Sequence, residues 1–249
     1  MSSNNNFAML ASDVNFDKLS LSDKVATNSN NSGKTVYASY SDPNYNGIVV
    51  ETPWMKLPYG VSVWSNEGLA DRHSLNMSFA SEYSKTNEVD EFKDFIQKLD
   101  EYFIDEFFKN SGKWTNKKAY TNIDVVRELY TNMYKLSRDK EGNMDKYPAT
   151  FKLNLPHTSG VYNFPVVDAK GRPFTLTKAN STGAHSKAII KCVGVWLAAG
   201  KFGCTWKLMN LMVLPRDTGN SYKFRASEGL ACLQIHSDDD EDEDPLKFA

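Results

Sequence analysis

Hydrophobic and polar positions change period several times along this chain, and each change marks an element. Short apolar or alternating stretches at 47–51 (GIVVE), 59–64 (YGVSVW) and 75–80 (LNMSFA) predict strands, with Leu75, Met77 and Phe79 on one face of the last. From 88 to 109 the period becomes helical. Val89, Phe92, Ile96, Leu99, Phe103 and Phe107 recur at three- and four-residue steps, and residues 122–136 repeat the style with Val126, Leu129, Met133 and Tyr134. Strand patterning resumes at 150–155 (TFKLNL), 161–167 and 174–176, and again at 222–224 and 230–235. The longest such stretch, 187–214, reads as two strands meeting at the small-residue turn Ala198-Ala199-Gly200, without a proline until Pro215.

Strands, two helices and more strands predict a mainly β or α+β fold rather than a parallel βαβ sheet. The 187–214 hairpin would be its spine. The expected organisation is a mobile Ser/Asn-rich segment over 1–46, in which Phe16, Leu19 and Leu21 could anchor an early piece. A domain over 47–236 follows, with a helical insertion at about 88–136, and then a tail over 237–249.

Charge sharpens the picture. The 249 residues sum to a net −2, yet residues 238–244 (DDDEDED) alone carry seven acids, so 1–237 hold 28 Lys+Arg against 24 Asp+Glu. This is a mildly basic body with a solvated acidic end, less basic than a typical duplex-DNA binder. No apolar run is long enough to span a bilayer, the start (MSSNNNFAML) lacks a secretory pattern, and three cysteines without a CxxC pair suit a reducing compartment. An intracellular, non-secreted setting without membrane contact is expected.

Catalytic chemistry finds no residue set. Gly33-Lys34-Thr35 ends like a phosphate loop, but Asn28 stands where its first glycine belongs. The four histidines (His73, His157, His185, His236) have no metal-ligand spacing, and no nucleophile elbow or dinucleotide turn occurs. Neither a metal nor a cofactor is expected, and the chain is read as non-enzymatic. The acids of the 88–109 helix are most simply a solvated face.

Two positive signals remain. The later strands interleave rings with lysines: Phe151 and Lys152, Lys187, Lys191, Trp196, Lys201 and Phe202, Trp206 and Lys207. Single-stranded nucleic acid asks for this combination, because bases stack on flat rings while cations hold the backbone. Trp196, Phe202 and Trp206 are either such stackers or inward fillers, and Tyr59 is a further candidate. Trp206 and Lys207 fall on opposite faces of an ideal strand, so sharing one patch requires a twist or bulge. The second signal is the tail, Asp238, Asp239, Asp240, Glu241, Asp242, Glu243, Asp244 and then Phe248. An acidic leader with an aromatic near its end suits a basic pocket on a partner, and a solubility tail has the same composition.

The runs GKFGCTWKL (200–208) and ETPWMKLPYGVSVW (51–64), with the acidic end and Phe248, resemble the OB-fold single-stranded-DNA-binding proteins of podophages and nucleocytoplasmic large DNA viruses, in the large-virus branch. The resemblance implies an OB-like five-stranded barrel whose strand face and loops hold single-stranded DNA during viral DNA replication or recombination, at a replication site in the host cytoplasm or nucleus. It also implies a tail that recruits a polymerase, helicase or primase and can swap between subunits of a homodimer. Ala249 after Phe248 and Lys247 within the coda depart from the phage pattern. The rival expectation is a structural or scaffold protein of a virion, using the Phe-rich helix as its contact surface.

Overall fold

The computed structural model describes residues 7–27, 33–65, 71–80, 86–139, 141–144 and 146–216. In chain order its strands begin with β1 (Leu19–Thr27), β2 (Lys34–Asp42), β3 (Tyr45–Asn46), β4 (Val49–Glu51), β5 (Met55–Lys56), β6 (Ser62–Trp64) and β7 (Arg72–Ser78). The helices α1 (Thr86–Thr115) and α2 (Ile123–Leu129) follow, then β8 (Tyr130–Thr131), β9 (Tyr134–Lys135) and β10 (Thr150–Leu155). The remainder is β11 (His157–Thr158), β12 (Val161–Tyr162), β13 (Val166–Asp168), a one-turn α3 (Lys178–Ser181), β14 (His185–Ala198) and β15 (Lys201–Leu214).

The fold is mainly β with helices packed beside the sheet, the class the patterning predicts. The sheet is mostly antiparallel and open, which corrects the closed five-stranded barrel implied by the resemblance: its path ends at β1 and β9, which do not pair with each other. Its path runs β1-β2-β14-β5-β7-β10-β9, while β15 pairs β14 along its length and takes the short parallel strands β8 and β13. The β14–β15 hairpin is the spine, closed by Ala199 and Gly200 at φ 50° and 76°. Two positive φ values in a two-residue loop match the right-handed twist of paired strands.

Alternation builds the second wall. Phe151 pairs with Met77 and Leu153 with Leu75, and all four side chains are buried, while Lys152 and Asn154 point the other way. The helical stripe behaves as its period requires: Phe92, Phe95, Ile96, Leu99, Phe103 and Phe107 of α1 are all buried against the sheet. At roughly 1.5–3 kcal/mol per fully buried large side chain, this stripe is a major source of stability. It is consumed by the protein's own core, which removes the ground for the Phe-rich helix as a contact surface.

Within 1–46, the described residues 7–27 and 33–46 form part of the sheet and core. They supply β1 and β2, and Val36 of β2 is fully buried opposite Val195 of β14. Met9 and Val14 are buried as well, and Phe16 packs 6.1 Å from Phe95. In β1 and β2, Ser20, Ser39 and Ser41 take exposed positions of the strands. The second helix ends at Leu129 rather than 136, because Tyr130 is extended and begins β8. The stretch 161–167 divides into β12 and β13, and the segment expected as a strand at 174–176 reaches the sheet through the Pro173–Val167 bridge and the Phe174 N–H donating to the Val166 carbonyl. The strands expected at 222–224 and 230–235, and the acidic tail, lie outside the described residues. Among the described residues no helix is long and apolar enough to cross a membrane.

Candidate nucleic-acid interface

A one-residue bulge aligns the outer face of the hairpin. Cys192 pairs with Trp206 and Gly194 with Thr205, which leaves Val193 without a partner. Without that extra residue, Lys191 and Trp196 would face opposite sides of β14. With it, Lys191 (opposite Lys207), Gly194 (opposite Thr205) and Trp196 (opposite Gly203) share one face. Lys201, two residues from Gly203, falls on the same face at the tip. On the neighbouring strand β2, Thr35 and Tyr37 pair with Trp196 and Gly194 and join this wall, with Tyr37 51% exposed.

Two glycines make the wall possible. At Gly194, φ is +140°, and a Cβ there would lie 2.0 Å from the Val36 carbonyl oxygen, so only glycine lets β2 come this close. A Cβ on Gly203 would meet three adjacent atoms of the Trp196 indole at 2.9–3.0 Å. The ring therefore lies across bare backbone, and Trp196 stays half-buried. Lys191 and Lys207 stand directly opposite each other, a like-charge pairing that costs stability unless an anion screens it.

Lys207 also lines a groove of about 1000 Å³ between β15 and the β7–β10 wall. Trp64, half-exposed on β6, sits opposite Arg72 of β7, whose guanidinium carbon lies 5.4 Å from the indole centroid. Lys152 and Asn154 project from β10 into the same space, and the hairpin β11–β12 borders it through His157 and Thr158. His73 and His157 stack with centroids 4.0 Å apart. Burial, and secondarily the neighbouring His157, hold His73 below the usual histidine range. Asp71 is the one carboxylate among the described residues that line the groove. Nearby, burial and then the charge of Lys152 push the Lys135 ammonium below the usual lysine range.

The structure thus gathers five of the expected residues. Lys191, Trp196, Lys201 and Lys207 share the outer wall, and Lys152 meets Lys207 at the groove. Trp206 is half-buried at the groove's edge, with its Nε1 donating to Met133 Sδ at 2.9 Å and its ring edge-on to Phe95 and Phe151. Phe151 and Phe202 are corrections: each is 1% exposed, Phe202 stacked 3.9 Å from Phe107 and Phe151 edge-on to Phe92. Their positions alternate into the core, so neither can offer a face to a base. Lys187 lies four residues down β14 from Lys191 and is ion-paired with Glu51. Tyr59 is 53% exposed on the turn before Gly60, but does not line the groove. Sequence reasoning passed over Trp64, Arg72, Tyr37 and the two histidines. The juxtaposition of Trp64 and Arg72 depends on the register of β6 with β7, and no local pattern encodes it.

The open, mainly antiparallel sheet with a flanking helix places the chain in an architectural class, and comparison with known proteins gives particular likenesses. No protein-family profile matches the chain. It is 25% identical over 169 residues, 66% of its own length, to the uncharacterized protein L291 of Acanthamoeba polyphaga mimivirus, and spans 25% of that relative's length. Among solved structures it is similar to the single-stranded DNA-binding protein of bacteriophage Enc34 in complex with ssDNA, at 11% identity and a TM-score of 0.41, covering 79% of this chain and 98% of that one. It is also similar to gp2.5, a single-stranded DNA-binding protein encoded by bacteriophage T7, at 14% identity and a TM-score of 0.36, covering 68% and 93%. These structural neighbours are phage proteins of the kind named by the sequence resemblance.

Proposed function

We propose that the chain binds single-stranded DNA non-enzymatically, along a path from the outer wall of β14–β15 across Lys207 into the groove beside β7 and β10. The observation that carries this is the placement of the half-buried indole of Trp196, laid across bare backbone, and the like-charge pair Lys191–Lys207 on one bulge-aligned face, continuous through Lys207 with a second basic and aromatic surface. Rings give stacking without sequence preference, and ammonium groups track phosphates at variable spacing. Among the described residues the wall and groove are built from strands and a hairpin, with no helix offered to a major groove, which favours the single strand over the duplex.

In this reading the protein coats unwound DNA during viral replication or recombination, inside the infected cell. The acidic segment 238–244 with Phe248 then serves as a contact for a polymerase, helicase or primase, and a homodimer remains part of the proposal. The test is fluorescence anisotropy of labelled oligo(dT) against increasing salt. With Lys152, Lys191, Lys201, Lys207 and Arg72 on phosphates, the log–log salt slope should be about −3.5, at roughly 0.7 per phosphate for single strands. Replacing Lys152 and Lys207 by alanine should flatten it by about 1.4. Equal affinity for a duplex of the same length, or a slope unchanged by the two substitutions, would overturn the assignment.

A further inference from the structure

The stacked imidazoles of His73 and His157 belong to neither the phosphate contacts nor the stackers named above. His73 sits on β7, and His157 on β11, one arm of a two-stranded hairpin that makes its own sheet apart from the main one. The rings lie 25° from parallel, and Tyr162 of β12 meets His73 Nδ1 at 3.1 Å. The hairpin turns through Ser159 and Gly160 at φ 50° and 79° and leaves Val161 70% exposed. His157 and Thr158 line the groove on this side.

The groove that the pair borders is lined by groups unequal in sign. Arg72 and Asp71 lie beside His73 at the start of β7, Lys152 comes from β10, Lys207 from β15, and Tyr162 from β12. One carboxylate among three permanent cations leaves the site short of negative charge. Two imidazolium rings stacked at this distance would repel each other, so the free protein disfavours a doubly charged pair. A phosphate entering between Arg72, Lys152 and Lys207 reverses that balance, because an imidazolium N–H then has an anion to donate to.

We propose that His73 and His157 form a proton-linked phosphate contact, the stacked pair taking up a proton when a nucleic-acid phosphate occupies the groove. This rests on the reading of the groove as part of the DNA path. Proton uptake on binding makes affinity rise as pH falls, by up to about tenfold per pH unit for each proton taken up. The low-lying His73 sets the lower edge of that window in the free protein, and the bound phosphate raises the upper edge.

The experiment measures oligo(dT) affinity for the full chain from about pH 7.5 to about pH 5.5 at constant ionic strength, in wild type, His157→Phe and His157→Gln. Phe preserves the ring stack and cannot be protonated, while Gln keeps a hydrogen-bonding group should Phe disturb the hairpin. Wild type should tighten across the window, and both variants should lose at least half of that slope while binding at the upper end nearly as wild type does. Lys207→Ala is the control and should weaken binding by a similar factor throughout. Binding heats in two buffers of different ionisation enthalpy should show proton uptake in wild type, reduced by at least half in both variants. Buried Asp100, lifted to about 6, titrates in every variant and cancels in the comparison. Parallel pH profiles for wild type and both variants overturn the proton-linked contact and leave the DNA path standing. No binding at any pH overturns the DNA path and the contact with it.

Discussion

Gly203→Ala separates the stacking role of Trp196 from its contribution to packing. The added methyl would sit 2.9 Å from the indole Cζ2 and Nε1 and 3.0 Å from Cε2, against an ordinary contact of 3.4–4 Å. The ring must rise or tilt by about 0.5–1 Å, because the methyl is fixed to a central strand and the ring is the freer partner. Alanine suits an extended backbone here, so the fold should lose only about 1 kcal/mol, at the low end for overpacking. Binding should suffer more. If the indole supplies one stacked base worth about 1–3 kcal/mol, losing most of it weakens oligo(dT) binding roughly 5- to 100-fold. The assay is anisotropy titration of wild type, Gly203→Ala, Trp196→Ala and the double variant, with urea melts alongside. In the double-mutant cycle Gly203→Ala should cost almost nothing once Trp196 is gone, since its effect passes through that ring. Equal losses in both backgrounds, or unchanged affinity in the single variant, would refute Trp196 as a stacker.

Gly194→Ala attacks the fold itself: a Cβ 2.0 Å from the Val36 carbonyl oxygen, at φ +140°, forces β2 off β14, and urea denaturation should show a loss of roughly 3 kcal/mol or more. Asp100 gives a pH signature. Its carboxylate is buried beneath α1, accepting from the Tyr130 hydroxyl at 2.6 Å and the Met133 amide, and burial raises it from 3.8 to about 6. The folded value exceeds the unfolded one, so this group's contribution is fully present below about pH 4 and is lost as pH rises through 6, about 3 kcal/mol in all. Asp100→Asn should flatten the dependence of unfolding free energy on pH between these limits, and a slope unchanged by the substitution would contradict this assignment.

What could be read from the chain beforehand follows the range of the interactions involved. The hairpin 187–214, its turn, the Phe stripe of α1 and the alternation of β10 were legible because each is a local period that burial enforces. Residues 1–46 were not. Val36 and Tyr40 sit among Ser, Thr and Lys, and what makes β2 a strand is its pairing with β14, more than 150 residues away. For the site, Lys191, Trp196, Lys201 and Lys207 were found through composition, but their common face was not, because a bulge leaves no mark in the sequence. Phe151 and Phe202 show the opposite failure. A ring next to a lysine looks alike whether it stacks on a base or on Phe107, and only the phase of the strand decides. Trp64 and Arg72 meet across a pairing whose register the local sequence does not state.

Val193 carries a consequence out of proportion to its size. A strand's two sides are normally fixed by odd and even numbering, so the single unpaired residue works as a phase shifter between the halves of β14. Deleting it would leave every charge and every ring in the chain, yet swap the inward and outward sets on one arm of the hairpin. The binding character of this surface is therefore held in a count of residues as much as in their kinds, and a related chain could exchange one ligand preference for another by gaining or losing a single position there.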